Sequence, residues 1–187
     1  MPFSVSSIAL VCTIVFLSAC GASERSARGA AWNPKEATLF DDGIDVIESF
    51  TTLSGNFRFD AEEELNARAN LADVILLGNI RSVQQSEDVD GVRTKRITMD
   101  VEKVLYGKWR EKEFILVSGQ ESLGYTLLAR HEERLKGRQL AFIRIFRTED
   151  GRTGHHFHLS PGSLSMRDEV ETLVAAREKE EGTRQGD

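Results

Sequence analysis

The chain has 187 residues, a formal net charge of −6 at pH 7, and 40% hydrophobic and 29% charged residues. This composition is that of an ordinary soluble globule of about one domain, and it excludes a disordered chain. After the first twenty residues no apolar run approaches the ~20 residues of a spanning helix, so a polytopic membrane protein is excluded as well.

The N-terminus carries the clearest motif. An uncharged apolar run, Ile8 to Leu17, leads directly into Ser18-Ala19-Cys20-Gly21. A secretory signal needs an apolar stretch of roughly 7–15 residues followed by small residues. The segment resembles the signal peptide of a bacterial lipoprotein, whose lipobox reads Leu, two small residues and Cys, so residues 1–19 are predicted to be a signal peptide. One departure is that Met1 to Ser7 contain no Lys or Arg.

The lipoprotein resemblance implies that Cys20 is lipidated and becomes the first residue of the mature chain. Several acyl chains hold a protein stably on a bilayer without spanning it. Residues 20–31 are small and polar and are predicted to be a flexible tether. Because Gly21 is not Asp, the resemblance favours the outer membrane. The expected location is therefore the cell envelope, with the globule outside the cytoplasm.

The chain has only two cysteines. Cys12 lies in the predicted leader and Cys20 would carry lipid, so no thiol remains to form a disulfide, to ligate a metal or to act as a nucleophile. The stability of the body must then come from its core.

Residues 32–59 form an acidic arm of uncertain structure. Asn33-Pro34 predicts the start of a short helix, with Asn as the cap. The body that follows is mildly basic, with 14 Lys or Arg against 10 Asp or Glu from Arg81 to Arg147. Two interpretations remain open: the arm, or a partner, docks electrostatically on the body, or both are simply solvated surfaces.

The body, residues 60–166, reads as a helix followed by short strands. Asp60 with Glu63 resembles a capping box, and a helix is predicted from there to about Asn70. β-rich or alternating runs then predict five strands, at 74–80, 94–101, 114–117, 138–147 and 155–159. Residues 128–137 could form a short charged helix. An amphipathic C-terminal helix, residues 167–187 with its start signal at Ser165, frays from Gly182.

Five short strands with flanking helices predict a mainly β, α+β domain closed into a small barrel, which removes exposed strand edges. The order of the segments at 72–78, 104–107 and 137–142 resembles the OB-type barrels of bacterial netrin-like and inhibitor-like modules. The resemblance covers about Leu71 to Met166 and implies a five-stranded OB-like barrel. It does not by itself imply a function.

Three histidines near the fifth strand are candidate metal ligands. On a strand, His156 and His158 share one face and His155 points to the other. Two imidazoles could bind zinc if His131 or a carboxylate supplied a third ligand. The alternative is a polar strand face with Phe157 and Leu159 packed inward.

A basic loop is the second candidate site. Lys108, Trp109, Arg110 and Lys112 follow the second strand, and barrels of this class bind ligands at their loop rims. Nucleic acid is not expected outside the cytoplasm, which leaves a polysaccharide or protein of the envelope. The alternative is that Trp109 closes the barrel while the charges are solvated.

No catalytic motif is present. The serines at 118, 122, 160 and 163 lie outside any G-x-S-x-G or Ser-x-x-Lys pattern, and there is no H-E-x-x-H or phosphate loop. The sequence therefore predicts a membrane-anchored, non-catalytic binding module without a cofactor. A periplasmic metal-binding protein is the alternative, and a hydrolase with an unrecognised site is the third hypothesis. The sequence leaves the oligomeric state open.

Overall fold

The computed structural model describes residues 31–45 and 55–184. The predicted signal peptide, Cys20, nearly all of the tether, the middle of the acidic arm (46–54) and the last three residues lie outside the described part. No helix within the described part is long and apolar enough to cross a membrane.

The molecule is a mixed α+β fold built on one six-stranded sheet that curls into a half-barrel. The strand order is β1-β6-β5-β2-β3-β4, with every neighbouring pair antiparallel except β1 and β6. The strands are β1 (Gly43–Ile44), β2 (Val74–Glu87), β3 (Arg93–Tyr106), β4 (Glu113–Gly119), β5 (Arg138–Arg147) and β6 (Thr153–Pro161).

The prediction of five strands was therefore one short. All five predicted strands exist as β2 to β6, and several are longer than their alternating segments indicated. The additional strand, β1, contains only two residues of the acidic arm. Two residues are too few to show an alternating pattern in the sequence. They form a strand only because they pair with the edge of β6.

Curling of the sheet follows from irregularities in β2. Its pairing with β3 shifts register at three places, after Ile75, Leu77 and Ile80. Such bulges increase strand twist and bend a sheet. Gly78 lies at one of them, where a Cβ atom would stand 2.1 Å from the carbonyl oxygen of Asp100. Only glycine permits that backbone approach.

Three α-helices complete the fold: α1 (Asn56–Leu71), α2 (Tyr125–Arg130) and α3 (Leu164–Arg184). Helix α1 begins four residues before the predicted capping box at Asp60, with Gly55 at its N-cap and no side-chain cap. The predicted helix at 128–137 is instead α2 followed by a 3₁₀ turn, Glu132–Leu135. Gly182 does not end α3, because a solvated helix tolerates one glycine at modest cost.

The two faces of the sheet bury separate apolar clusters. The concave face encloses an inner core, which includes Leu76, Ile97, Leu116 and Phe157, with Leu128 of α2 packed into it. The convex face is covered by α1 and α3, and its outer core includes Phe142, Leu65 and Val170. Burial on both faces explains why Val74–Leu77 forms an uninterrupted apolar run.

Candidate functional site

The described part of the acidic arm is docked on the body. Asn33 caps a 3₁₀ turn, Pro34–Glu36, through a hydrogen bond from Lys35 N to its Oδ1 atom, as the Asn-Pro pair predicted. The carboxylate of Glu36 then accepts a 2.7 Å hydrogen bond from Nε of Arg144, on β5. The same guanidinium contacts Asp73 at 3.0 Å. The first half of the arm is thus tied to the centre of the sheet.

Asp42 joins the arm to β6. Its φ of 57° is left-handed, a conformation that Asp and Asn tolerate better than most residues. In this conformation its carboxylate accepts hydrogen bonds from Phe157 N at 3.0 Å and from the Ser122 hydroxyl at 2.9 Å. Nδ1 of His156 lies 2.8 Å from the same carboxylate.

His158 lies at the centre of the interface and is 4% exposed. Its Nδ1 atom is 2.8 Å from Oδ1 of Asp41, and its Nε2 atom is 3.0 Å from Oδ1 of Asp45, an ion-pair distance without good hydrogen-bond geometry. An imidazole can present N–H groups to two carboxylates only as the imidazolium. The Asp45 carboxylate also accepts a 2.6 Å hydrogen bond from Ser160 and contacts the buried Arg68 of α1 at 3.3 Å.

The charges of this network stabilise one another. Burial alone would lower the pKa of His158, but the attraction of Asp45 and the hydrogen bond to Asp41 raise it above its usual value. Burial alone would raise the pKa of Asp45, but His158, Arg68 and Ser160 hold it well below its usual range. Each partner therefore favours the charged form of the other.

The hydrogen bonds of this network tie the arm to the body and differ from those of a catalytic triad. The Ser122 and Ser160 hydroxyls donate to carboxylates, whereas a triad serine donates to a histidine that acts as its base. The arm also meets the N-terminus of α2 at a glycine pair, Gly43 and Gly124. Gly124 N donates a 2.8 Å hydrogen bond to Asp41 O, and a Cβ atom on Gly124 would stand 2.3 Å from the Cα atom of Gly43.

His155 points to the opposite face of β6, as the strand alternation predicted. Its ring lies edge-on to Phe114, with centroids 5.4 Å apart, and is hydrogen-bonded to the backbone of Ile115. Burial lowers its pKa below the usual value, despite the attraction of Asp42. His155 thus bridges β6 and β4 across the open side of the half-barrel, whose edge strands are β4 and the two-residue β1.

The three histidines therefore do not converge. His158 is held between two carboxylates of the arm, His156 is stacked in an aromatic cluster, and His155 faces the inner core. Within residues 31–45 and 55–184, no group of three or more His, Cys, Asp and Glu side chains is arranged to hold a metal ion.

The basic loop lies at one mouth of the half-barrel. Trp109 is half-buried, its ring centroid is 4.6 Å from that of Phe114, and its Nε1 atom donates a 3.3 Å hydrogen bond to Glu113 O. The cations beside it, Lys108, Arg110 and Lys112, are exposed. Trp109 thus covers the inner core, while the charges around it face solvent.

A second aromatic cluster lies at the same level of the sheet, on its outer face. The Trp32 ring is 4.4 Å from His156 and 5.1 Å from Phe146, and Phe146 is stacked on His156 with centroids 5.0 Å apart. An open groove of about 810 Å³ runs beside this cluster, lined by Trp32, Pro34, Phe146 and the following β5–β6 turn. Ala31 forms a parallel bridge with Arg147 at its rim.

Sequence reasoning missed the partners of the histidines. The sequence offered one signal, the contrast between an acidic arm and a basic body, and one of its two interpretations was that the arm docks.

The comparison of this chain with protein-family models and with curated proteins finds no match in either.

Proposed function

We propose that this protein is a lipoprotein of the bacterial cell envelope, anchored through lipid on Cys20, and that its body is a non-catalytic binding module. The anchor is proposed from the lipobox, which ends an apolar run of signal-peptide length. Gly21 after the cysteine favours the outer membrane.

We further propose that the body is an OB-like barrel left partly open. Supporting this, the six strands form one curled series whose two edges are β4 and the two-residue β1, which lies beside β6. Helix α2, which connects β4 to β5, packs against β1 and buries Leu128 inside the curl. OB-type barrels are partly open and bind their ligands on one face and at loop rims.

The distribution of charge supports the proposed binding role. All four carboxylates of the described arm are committed to an internal partner: Glu36 to Arg144, Asp41 and Asp45 to His158, and Asp42 to His156. The arm is thus a structural part of the fold and offers little free charge to a partner. The basic loop, in contrast, presents Lys108, Arg110 and Lys112 to solvent. The binding surface is therefore assigned to this end of the barrel.

A direct test of the anchor is mass spectrometry of the mature N-terminal peptide from bacterial membranes. The expected result is a peptide that begins at Cys20 and carries a diacylglyceryl group. Cys20→Ser should abolish the modification, and Cys12→Ser is the matched control that leaves it intact. An unmodified thiol at Cys20, or a retained leader, contradicts the proposal.

A further inference from the structure

One end of the barrel holds both tryptophans of the chain. His155 and His156 are neighbours on β6 and point to its two faces. Trp109 is linked to His155 through Phe114, and Trp32 contacts His156 directly. The two indoles therefore lie at the same level of the sheet, on its inner and outer sides, at the end where β5 finishes and β6 begins.

The same end carries cations that have no ion-pair partner within residues 31–45 and 55–184. Arg147 lines the Trp32 groove, and Lys35 follows Pro34, which also lines it. Lys108, Arg110 and Lys112 lie in the loop of Trp109. All five are exposed, and none forms an ion pair with another residue of the described part. Glu111 and Glu149 are exposed acids of the same two loops, and Asp150 is paired with Arg152. The C-terminal turns of α3 also reach this end, where Glu181 accepts a hydrogen bond from the Tyr106 hydroxyl and pairs with Arg177. We call these five cations and the two tryptophans the basic end.

The chain also enters the described fold at the basic end. Ala31 forms its bridge with Arg147, next to Trp32. Only residues 21–30 separate Ala31 from Cys20, and ten residues reach at most ~36 Å when fully extended. A lipid on Cys20 would therefore keep this end within about 36 Å of the bilayer.

We propose that the basic end lies against the bilayer and binds anionic phospholipid headgroups, so that the anchored globule is held in one orientation. Tryptophan side chains prefer the headgroup level, and lysine and arginine are attracted to anionic lipid surfaces. A positive surface on a chain of net charge −6 complements such a membrane, whereas the rest of the molecule is repelled. This inference rests on the proposed anchor and names the ligand of the proposed binding surface.

The two tryptophans provide the test. The lipidated protein is reconstituted into phosphatidylcholine vesicles, with or without phosphatidylglycerol, that contain a lipid bearing a quencher on its headgroup. Strong quenching of tryptophan fluorescence is expected with phosphatidylglycerol, weaker quenching without it, and reversal at high salt. Equal quenching in both vesicles, or none, overturns the inference.

A matched pair of variants locates the effect. Lys108→Gln/Arg110→Gln removes two cations from the basic end and should lower the ratio of quenched to unquenched tryptophan roughly 10- to 30-fold. Arg96→Gln/Lys136→Gln removes one Arg and one Lys that are exposed and lie towards the opposite end of the sheet, and should leave the ratio unchanged. Equal losses in both variants overturn the inference.

Failure of the anchor has a different signature. If Cys20 carries no lipid, the protein does not float with the phosphatidylcholine vesicles, and the proposed anchor, on which the inference rests, fails. If the lipidated protein floats but its tryptophans remain unquenched, the anchor stands and the basic end faces away from the membrane, towards some other ligand.

Discussion

Charged side chains at the arm–β6 interface are paired and shielded from water. The cations of the basic end, in contrast, are solvated and form no ion pair within the described part. His158 and Arg68 are each 4% exposed and contact carboxylates within 3.4 Å. Lys108 and Arg110 are exposed and have no ion-pair partner in the described part. Buried charges must be compensated inside the protein, so they contribute to the fold. Solvated single charges contribute little to stability and are available to a ligand.

The largest effect is expected when the centre of the buried network is removed. His158→Leu leaves Asp41 and Asp45 facing an apolar side chain, and breaking a buried pair in this way costs about 3–5 kcal/mol. Urea denaturation measures the change in the free energy of unfolding. His131→Leu is the matched control, because His131 is about one-third exposed and lies 3.6 Å from Glu133. Similar losses in the two variants would show that the network contributes nothing specific.

A somewhat smaller effect is expected at the glycine pair between the arm and α2. Gly124→Ala places a methyl group against the backbone of Gly43 and should cost about 1–3 kcal/mol through overpacking. Gly182→Ala is the control, because no atom lies within 4 Å of its Cβ position. That variant should be neutral or slightly stabilising, since alanine favours a helix. An unchanged unfolding free energy for Gly124→Ala would mean that the arm does not pack closely on α2.

The pH dependence of stability separates the two regions further. Folding raises the pKa of His158. The contribution of His158 to the free energy of unfolding is therefore complete below its unfolded pKa of about 6.5, and it is lost as the pH rises through the folded pKa. The groups around it are Asp41 and Asp45 of the arm and Arg68 of α1. The free energy of unfolding should therefore fall as the pH rises from about 6.5 through the folded pKa of His158.

The effect of His155 on the pH dependence of stability has the opposite sign, because burial lowers its pKa. The test of the pH prediction therefore compares variants: the fall in stability as the pH rises above about 6.5 should be present in His131→Leu and reduced in His158→Leu. Identical pH profiles in the two variants would assign the dependence to other groups.

The smallest effect on stability is expected at the basic end. Lys108→Gln/Arg110→Gln removes two solvated charges and should change the free energy of unfolding by less than about 0.5 kcal/mol, while it weakens the contact with anionic vesicles. Urea denaturation of the same protein preparation checks the first part. A large loss of stability would place these cations among the residues that hold the fold together.

Local patterns predicted much of the fold. The alternation of Ile97, Met99 and Val101 identified β3, the buried run at 74–77 identified β2, and Asn33-Pro34 identified the 3₁₀ turn. The start of α1 was misplaced because Gly55 offers no side-chain cap to recognise, whereas Asp60 and Glu63 imitate one inside the helix. Helix boundaries are set by the backbone as much as by caps.

The partners of the histidines could not be predicted in this way. His156 and His158 were recognised as neighbours on one strand face, but the carboxylates that bind them lie 114 and 117 residues away along the chain. Only the crossing of the arm over the edge of β6 brings these groups together. A histidine next to another histidine has the same sequence pattern whether it serves as a metal ligand or as the partner of a distant Asp.

The sequence by itself determined the strands β2 to β6, the amphipathic α3 helix and the contrast between an acidic arm and a basic body, because hydrophobic period and composition are properties of short stretches. The tertiary structure decided which charges are buried and which remain free, since burial depends on contacts between distant segments. It placed the arm's carboxylates on His156, His158, Arg68 and Arg144, and it gathered both tryptophans and the unpaired cations at the end where Ala31 enters the fold.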